Sequence, residues 1–459
     1  MRLRSIVLSL LCVLAVLSAG APTTGAPAAS RPTLVIVLTD DQRADTIRHM
    51  PILQRELVAQ GVTFTNAFVT TPLCCPSRAS LLRGQYAHNT GVLTNGGGDR
   101  GAGEGRWPGG AEAFRDQSTL ATWLRAAGYR TGLFGKYLNG YMQLTQRVPP
   151  GWDEWHVFAG GYFNYSLNEN GTLRRYGRAA EEYGTDVVAR KAVQFIEQGG
   201  SAPLLVYYAP FAPHAPATPH PQDAAAFGDV APWRPASYNE QDVSDKPEWV
   251  RRLPPLGPQQ QAGGDEFRKS QLRALQAVDR AIGMIIDALR RTSRLENSII
   301  LFTADNGLSW GEHRWLGRKS CPYEECARVP FIVRGTGIPA GRTDPRFVQN
   351  IDIAPTFAEL AGVRPDGSVD GRSLLALLRG GEVAWRTEIL TEHWGPPQLT
   401  WAAIRTDRWK YVEYENGDRE LYDLSADPHE MTNVVTSAQH APVVADLRQR
   451  LEALRRAGR

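Results

Sequence analysis

The chain has 459 residues, 51 basic against 48 acidic side chains, a formal charge of +3 and 5 cysteines. That length suits one large domain plus a small one. Charge this balanced, without a basic run, excludes the electrostatic footprint of a nucleic-acid binder, and cysteines this sparse exclude a disulfide scaffold.

The N-terminus carries Arg2 and Arg4, an uncharged apolar stretch over 6–17, then small residues and prolines to Ser30. Segment 1–30 reads as a secretory signal peptide and flexible lead, too short to span a bilayer. It predicts a secreted protein, extracellular or periplasmic, without stable membrane insertion. Cys12 lies inside that stretch, so cleavage would leave Cys74, Cys75, Cys321 and Cys326. Export makes a Cys321–Cys326 bridge available, and two buried thiols are the alternative.

Four apolar runs come next, each ending on or leading to polar residues. Leu34-Val35-Ile36-Val37-Leu38-Thr39 ends in Asp40-Asp41, and Arg130-Thr131-Gly132-Leu133-Phe134-Gly135 ends in Lys136. Leu204-Leu205-Val206-Tyr207-Tyr208 leads to His214, and Ile299-Ile300-Leu301-Phe302-Thr303-Ala304 ends in Asp305-Asn306. Continuous apolar runs of this length suit strands buried on both faces. Helical patterns over 118–127, 185–198 and 267–291 alternate with them, which predicts an α/β fold with a mostly parallel sheet between helix layers. Ligands of such sheets bind beyond the carboxyl ends of the strands, so one crevice would receive Asp40, Asp41, Lys136, His214, Asp305 and Asn306. Segment 215–264, rich in Pro, Gln and Asp, reads as a long substrate-side loop region. Beyond Gly380-Gly381, segments 400–405, 408–414 and 420–424 read as antiparallel strands with a turn at Asn416-Gly417, followed by a helix over 441–454. The predicted division is a catalytic domain over 31–382 and an α+β subdomain over 383–459.

Between the first two runs lies Cys74-Cys75-Pro76-Ser77-Arg78. A strand over 64–69 precedes it and a helix over 77–82 succeeds it, with Pro76 at the first helical position. Cys74 then sits at or just before a helix N-terminus, which favours an anion, and Arg78 lies one turn on, able to grip that anion with its planar fork. Asp40, Asp41, Asp305 and Asn306 offer hard oxygen ligands suited to Ca²⁺ or Mg²⁺. Either pair alone would read as a helix cap or turn; together, at matching strand ends, they read as a metal site.

Cys-x-Pro-Ser-Arg followed by Ala79-Ser80-Leu81-Leu82-Arg83-Gly84 resembles the signature of the type I sulfatases. The Cys-Cys form with Tyr86-Ala87-His88-Asn89 behind it is most similar to the N-acetylglucosamine-6-sulfatase branch, as is Tyr162-Phe163-Asn164-Tyr165. Two residues after the position of Lys136, where many sulfatases have histidine, this chain has Leu138 and then Asn139, again as in that branch. The resemblance implies an alkaline-phosphatase-like fold whose small C-terminal domain includes Glu420-Leu421-Tyr422-Asp423-Leu424. It also implies one Ca²⁺ ion held by Asp40, Asp41, Asp305, Asn306 and residue 74. Cys74 would be converted to formylglycine by a formylglycine-generating or other sulfatase-maturing enzyme, leaving Cys75 a thiol. An oxygen of the aldehyde hydrate attacks the ester sulfur and expels the alcohol. The second hydroxyl then collapses to the aldehyde and releases inorganic sulfate. Arg78, Lys136 and Lys319 would offset charge on the sulfate oxygens, and His214 would protonate the leaving oxygen. His88, Asn139, Asn164, His313 and His393 are candidate substrate contacts. The implied substrate is a sulfated sugar such as N-acetylglucosamine 6-sulfate, or an aryl sulfate. The rival readings are a phosphate or phosphonate monoester hydrolase of the same superfamily and a non-catalytic glycan-binding protein.

Overall fold

The computed structural model describes residues 31–96, 107–144, 147–396 and 399–456. The segment read as a signal peptide lies outside them. Ten strands form the main sheet: β1 (Thr33–Thr39), β2 (Gly61–Phe64), β3 (Arg130–Lys136), β4 (Glu154–Phe158), β5 (Tyr165–Glu169), β6 (Thr172–Tyr176), β7 (Leu204–Ala209), β8 (Ser298–Ala304), β9 (Phe331–Gly335) and β10 (Arg342–Asp344). Their spatial order is β10-β2-β9-β8-β1-β7-β3-β4-β5-β6. The central block β8-β1-β7-β3-β4 is parallel, and β9 and β5 open antiparallel margins on its two sides.

Register decides the site. Thr39 lies opposite Ala304, Val37 opposite Tyr208, and Gly135 opposite Ala209. Four neighbouring strands therefore finish level with one another, and the segments leaving their carboxyl ends enter one crevice, as the sequence predicts.

The apolar runs are uninterrupted because both faces are covered. Leu34, Ile36 and Leu38 pack with α1 (Cys74–Arg83), α2 (Leu120–Ala126) and, later in the chain, a helix over Ile353–Ala361; Val35 and Val37 pack on the opposite face with α3 (Gly184–Glu197) and α4 (Pro258–Arg291). The period-two alternation of a strand thus splits one sequence run between two cores.

Two helix starts differ from expectation. Helix α1 begins at Cys74, with Leu73 extended before it, so Pro76 occupies the third helical position. The missing N–H still costs nothing, because the first four N–H groups of a helix have no intrahelical partner. Helix α4 begins at Pro258, inside the segment read as loop, with the Gly257 N–H donating to Gln260 Oε1 at 3.0 Å. Proline at the first position and the glutamine cap start it, and the helix-weakening Gly263-Gly264 pair hides that start in the sequence.

The small sheet has four antiparallel strands: β11 (Glu388–His393), β12 (Trp401–Thr406), β13 (Trp409–Tyr414) and β14 (Arg419–Asp423). The last three match the predicted segments; β11 is additional. The C-terminal helix (Ala441–Arg456) packs on this sheet through Val444, Leu447 and Leu451. Of the two alternatives for Cys321 and Cys326, the structure has the disulfide, with Cα atoms 5.6 Å apart. It closes the loop just after Lys319. Among the described residues no helix is long and apolar enough to cross a membrane.

Candidate active site

The last rungs of the sheet build the acidic corner. The Asp305 N–H donates to the Thr39 carbonyl at 3.0 Å, extending the β1–β8 ladder, and the Asp41 N–H donates to Asp305 Oδ1 at 3.1 Å. Asp41 has φ +61°, a left-handed conformation that aspartate tolerates better than most residues. Asn306 donates from Nδ2 to Asp41 Oδ1 at 2.7 Å, while its Oδ1 is buried without a hydrogen-bond partner. Gly135 brings β3 close to this corner: a Cβ there would lie 1.9 Å from the Ala209 carbonyl oxygen, and its φ is +127°. No other residue suits that approach, which places Lys136 Nζ 2.5 Å from Asp40 Oδ2.

Helix α1 points its N-terminus into the same corner. Asn95 Oδ1 accepts the Cys75 N–H at 2.9 Å. Asn350 clamps the first turn, accepting the Thr70 N–H at 3.0 Å and donating to the Ser77 carbonyl and hydroxyl oxygens, each at 3.0 Å. Cys74 Sγ then lies 3.5 Å from Asp40 Oδ1, 4.0 Å from Asp41 Oδ1 and 2.7 Å from Lys319 Nζ. Lys319 also reaches Asp41 Oδ1 at 2.5 Å. Arg78 donates from Nε to Asp305 Oδ2 and from Nη1 to the Lys136 carbonyl, both at 2.8 Å, and its buried Nη2 makes no hydrogen bond. Its fork thus hydrogen-bonds one aspartate, while Nη2 faces a second, Asp40 Oδ2, at 3.6 Å, beyond hydrogen-bond distance.

Asp40, Asp41, Asp305, Cys74, Arg78 and Lys136 are all buried. Burial opposes ionisation of Asp40, yet Lys136, then His214, Arg78 and Lys319, hold its carboxyl far below the usual range. Asp305 is pushed up, by burial and then by Asp40. Burial, followed by Asp40, drives the Cys74 thiol well above the ordinary thiol range. As a thiol Cys74 is protonated at neutral pH and a poor nucleophile. Burial likewise pushes the Cys75 thiol up to about 12, and Cys75 packs in the core on the α1 side of the sheet.

His214, like Lys319, is part-exposed. Its Nδ1 lies 2.8 Å from the Ala215 carbonyl, which can only accept, so the Nδ1 proton is fixed and Nε2 faces Asp41 Oδ2 at 3.5 Å. The imidazole leans on the Phe211 ring at 4.6 Å between centroids.

Asp40, Asp41, Cys74 and His214 offer ligand atoms within 4.8 Å of one another. Hard carboxylate oxygens, with the unpartnered Asn306 oxygen beside them, fit a hard divalent cation of the Ca²⁺ or Mg²⁺ type.

The remaining predicted residues are more dispersed. His88 Nδ1 lies 2.7 Å from Glu392 Oε1, on β11, and its ring stacks on Tyr86. Asn139 lies three positions beyond Lys136; its carbonyl accepts the Ala111 N–H at 2.8 Å, and its side-chain oxygen is buried without a partner. Asn164 is exposed, on the wall of a separate cavity. His313 is fully buried, with Nδ1 2.7 Å from Glu240 Oε2 and its ring against Tyr323. His393, on β11, is buried with Nε2 3.0 Å from the Gly395 carbonyl, and burial lowers its pKa to about 4.

The sequence reading missed the supports. Besides Asn95 and Asn350, Gln271 on α4 donates to the carbonyls of Pro213 and Asp41, at 3.2 and 3.5 Å, and accepts from Trp310 Nε1 at 2.6 Å. It ties the Asp41 and His214 loops together. Its only signal is a glutamine inside the apolar stripe of an amphipathic helix. Asn95 and Asn350 carry no signal, because asparagine is common in loops.

A family model described as Sulfatase matches residues 32–363. The chain belongs to the sulfatase family. A second model, described as N-sulphoglucosamine sulphohydrolase, C-terminal, matches residues 311–457. The chain is 32% identical to human N-acetylglucosamine-6-sulfatase across 88% of its own length and 81% of the human protein. It is 36% identical to the Drosophila melanogaster extracellular sulfatase SULF-1 homolog over 76% of its own length. The chain spans 31% of that relative and 54% of its Caenorhabditis elegans counterpart. Among solved structures it is similar to a complex with the substrate D-glucosamine-2-N,6-O-disulfate, with TM-score 0.79, 25% identity, and 92% and 97% of the two chains covered. The mixed ten-stranded sheet and small four-stranded sheet are therefore those of a sulfatase.

Proposed function

We propose that this sulfatase-family protein hydrolyses the sulfate ester of a sulfated sugar, with N-acetylglucosamine 6-sulfate as the leading candidate. The observation that carries the reading is the cluster of Cys74, Asp40, Asp41, Arg78, Lys136 and Lys319 at the N-terminus of α1. Relatives named N-acetylglucosamine-6-sulfatase support the sugar.

Asp40, Asp41, Asp305 and Asn306 would hold Ca²⁺ together with residue 74. Bound there, the ion would supply positive charge against the sulfate oxygens and the developing negative charge. Converted from cysteine by a maturing enzyme, residue 74 would supply a hydrated-aldehyde oxygen as nucleophile, which its protonated thiol cannot replace. The α1 N-terminus favours the anion. Arg78 Nη2, Lys136 and Lys319 surround the position where sulfate would sit and stabilise charge that grows during attack. His214, its Nδ1 proton held by Ala215, presents Nε2 to the departing oxygen and donates a proton there when charged. Secretion is part of the proposal and is supported by the extracellular sulfatases among the relatives.

The test uses protein co-expressed with a formylglycine-generating enzyme. Rates on N-acetylglucosamine 6-sulfate, an aryl sulfate and the matched aryl phosphate are expected to rank in that order. A clear preference for the phosphate would make it a phosphoester hydrolase instead, and no turnover with intact binding would make it a glycan-binding protein. EDTA is expected to inactivate it slowly, with Ca²⁺ restoring activity.

A further inference from the structure

Lys136 is placed by β3 and Arg78 by α1, but Lys319 stands outside the main sheet and its helices. Its ammonium nevertheless meets Asp41 Oδ1 at 2.5 Å and Cys74 Sγ at 2.7 Å. The backbone that follows it is held at three consecutive polar atoms. The Lys319 carbonyl accepts from Trp315 Nε1 at 3.0 Å, the Ser320 N–H donates to the Pro72 carbonyl at 2.9 Å, and the Ser320 carbonyl accepts from Trp401 Nε1 at 3.0 Å. Pro72 stands two residues before Cys74, so the middle bond ties the lysine to the reacting position. Ser320 has φ +70°, a left-handed conformation that persists in a non-glycine residue only where its surroundings over-determine it. Both indoles are buried, at 4% and 2% exposure for Trp315 and Trp401. An indole N–H can only donate, and once buried it needs its acceptor.

The second indole comes from the small sheet. Along β12, Ala402 and Ile404 pack with the C-terminal helix, while Trp401 and Ala403 face the other way and pack with Val412 and Tyr414. That second face grips the segment after Lys319 at successive points. Trp401 holds Ser320, Lys410 Nζ donates to the Pro322 carbonyl at 3.1 Å, and Glu420 accepts the Tyr323 hydroxyl at 2.8 Å. The Cys321–Cys326 disulfide closes the gripped segment on itself. One face of the small sheet therefore builds a core, and the other reaches a charge beside Cys74 through a single peptide.

We propose that the small sheet takes part in the reaction through this contact: Trp401, together with Trp315, holds the Lys319–Ser320 peptide so that the Lys319 ammonium stands at the sulfate position. Both tryptophans are positioning residues, since neither indole touches the reacting group. The inference deepens the sulfatase reading and rests on it for the effect on turnover, though not for the effect on where Lys319 sits.

The test is a double-mutant cycle in protein made with a formylglycine-generating enzyme and assayed with Ca²⁺ on an aryl sulfate. Trp401→Phe removes the N–H and keeps a ring in the same packing. It is expected to lower kcat about tenfold with KM within about twofold, because a displaced ammonium loses most against charge that grows in the transition state. Lys319→Ala should cost more, and adding Trp401→Phe to it should cost less than about a further twofold, because the indole acts only through the lysine. An equal loss in both backgrounds, or none in the wild type, overturns the proposal. Should Trp401→Phe fail to fold, Trp315→Phe removes the neighbouring donor and enters the same cycle with the same outcomes. A crystal structure of the Phe variant separates this proposal from the sulfatase reading. Lys319 Nζ is expected about 1 Å or more from its wild-type place. That displacement upholds the positioning even in a protein that turns over no sulfate ester, and an unmoved Lys319 refutes it even in an active sulfatase.

Discussion

Two regions of this molecule bury carboxylates and finish them differently. At the C-terminal side, Asp352 accepts both arms of Arg386 at 2.6 and 2.8 Å and the N–H groups of Gln349 and Arg372, each at 2.8 Å. Glu420 accepts three tyrosine hydroxyls, from Tyr323, Tyr414 and Tyr422, at 2.6–2.8 Å. Both groups are closed by their own chain. In the crevice, Asp40, Asp41 and Asp305 face Lys136, Lys319 and Arg78, yet Asn306 Oδ1 stays buried without a hydrogen bond, as does Arg78 Nη2, which lies 3.6 Å from Asp40 Oδ2. A closed network fixes the fold. An open one keeps an acceptor for a cation. Against these two networks, the crevice is distinguished by its unmet acceptor at Asn306 Oδ1 rather than by buried charge alone.

The comparison is broken most sharply at the crevice. Cys74→Ala is expected to cut turnover by at least about a thousandfold, because it removes the proposed nucleophile, while the melting temperature stays near the wild-type value. Steady-state kinetics and calorimetry check both halves, and a large fall in melting temperature would place Cys74 among structural residues. Asp352→Ala should do the opposite. It strands Arg386 and is expected to cost about 3–5 kcal/mol in denaturant titrations, with kcat of the folded fraction little changed.

Glu420 gives a pH signature. Burial raises its pKa in the folded protein, against the lowering effect of the tyrosine hydrogen bonds. The folded state then holds a proton that the unfolded state has released above about pH 4.3. Stability contributed by this group is present at lower pH and is lost as pH rises from there through the folded pKa. Glu420→Gln should flatten that decline in a series of melts across pH, and an unchanged slope would show that Glu420 is ionised throughout. The smallest effect is expected at Cys75→Ala, which removes one core sulfur. About 1 kcal/mol of stability should be lost and most activity kept, as measured beside Cys74→Ala. Loss of activity there would move the reacting position from residue 74 to residue 75.

The crevice was readable in the sequence where local pattern and burial coincide. The runs ending at Asp40, Lys136 and Asp305 are continuous because both sheet faces are covered, and their polar ends mark where cover stops. Cys74 was readable through its motif. The supports were not. Asn350 reaches Ser77 across 273 residues of sequence, and Gln271 reaches Asp41 across 230, so no local pattern encodes either contact. Strand β11 escaped because Glu388-Ile389-Leu390-Thr391-Glu392-His393 has only two apolar residues, side by side, although Glu392 and His393 are buried. The first turns of α4 escaped because of glycines 263 and 264.

The central claim is that residue 74 reacts as an aldehyde rather than as a thiol. Mass spectrometry of the peptide containing Cys74, from protein made with a formylglycine-generating enzyme and shown to be active, tests it most directly. The expected result is an aldehyde at position 74 that reacts with hydroxylamine, in proportion to specific activity, beside an intact Cys75. Full activity from protein whose residue 74 is an unmodified thiol would contradict the account.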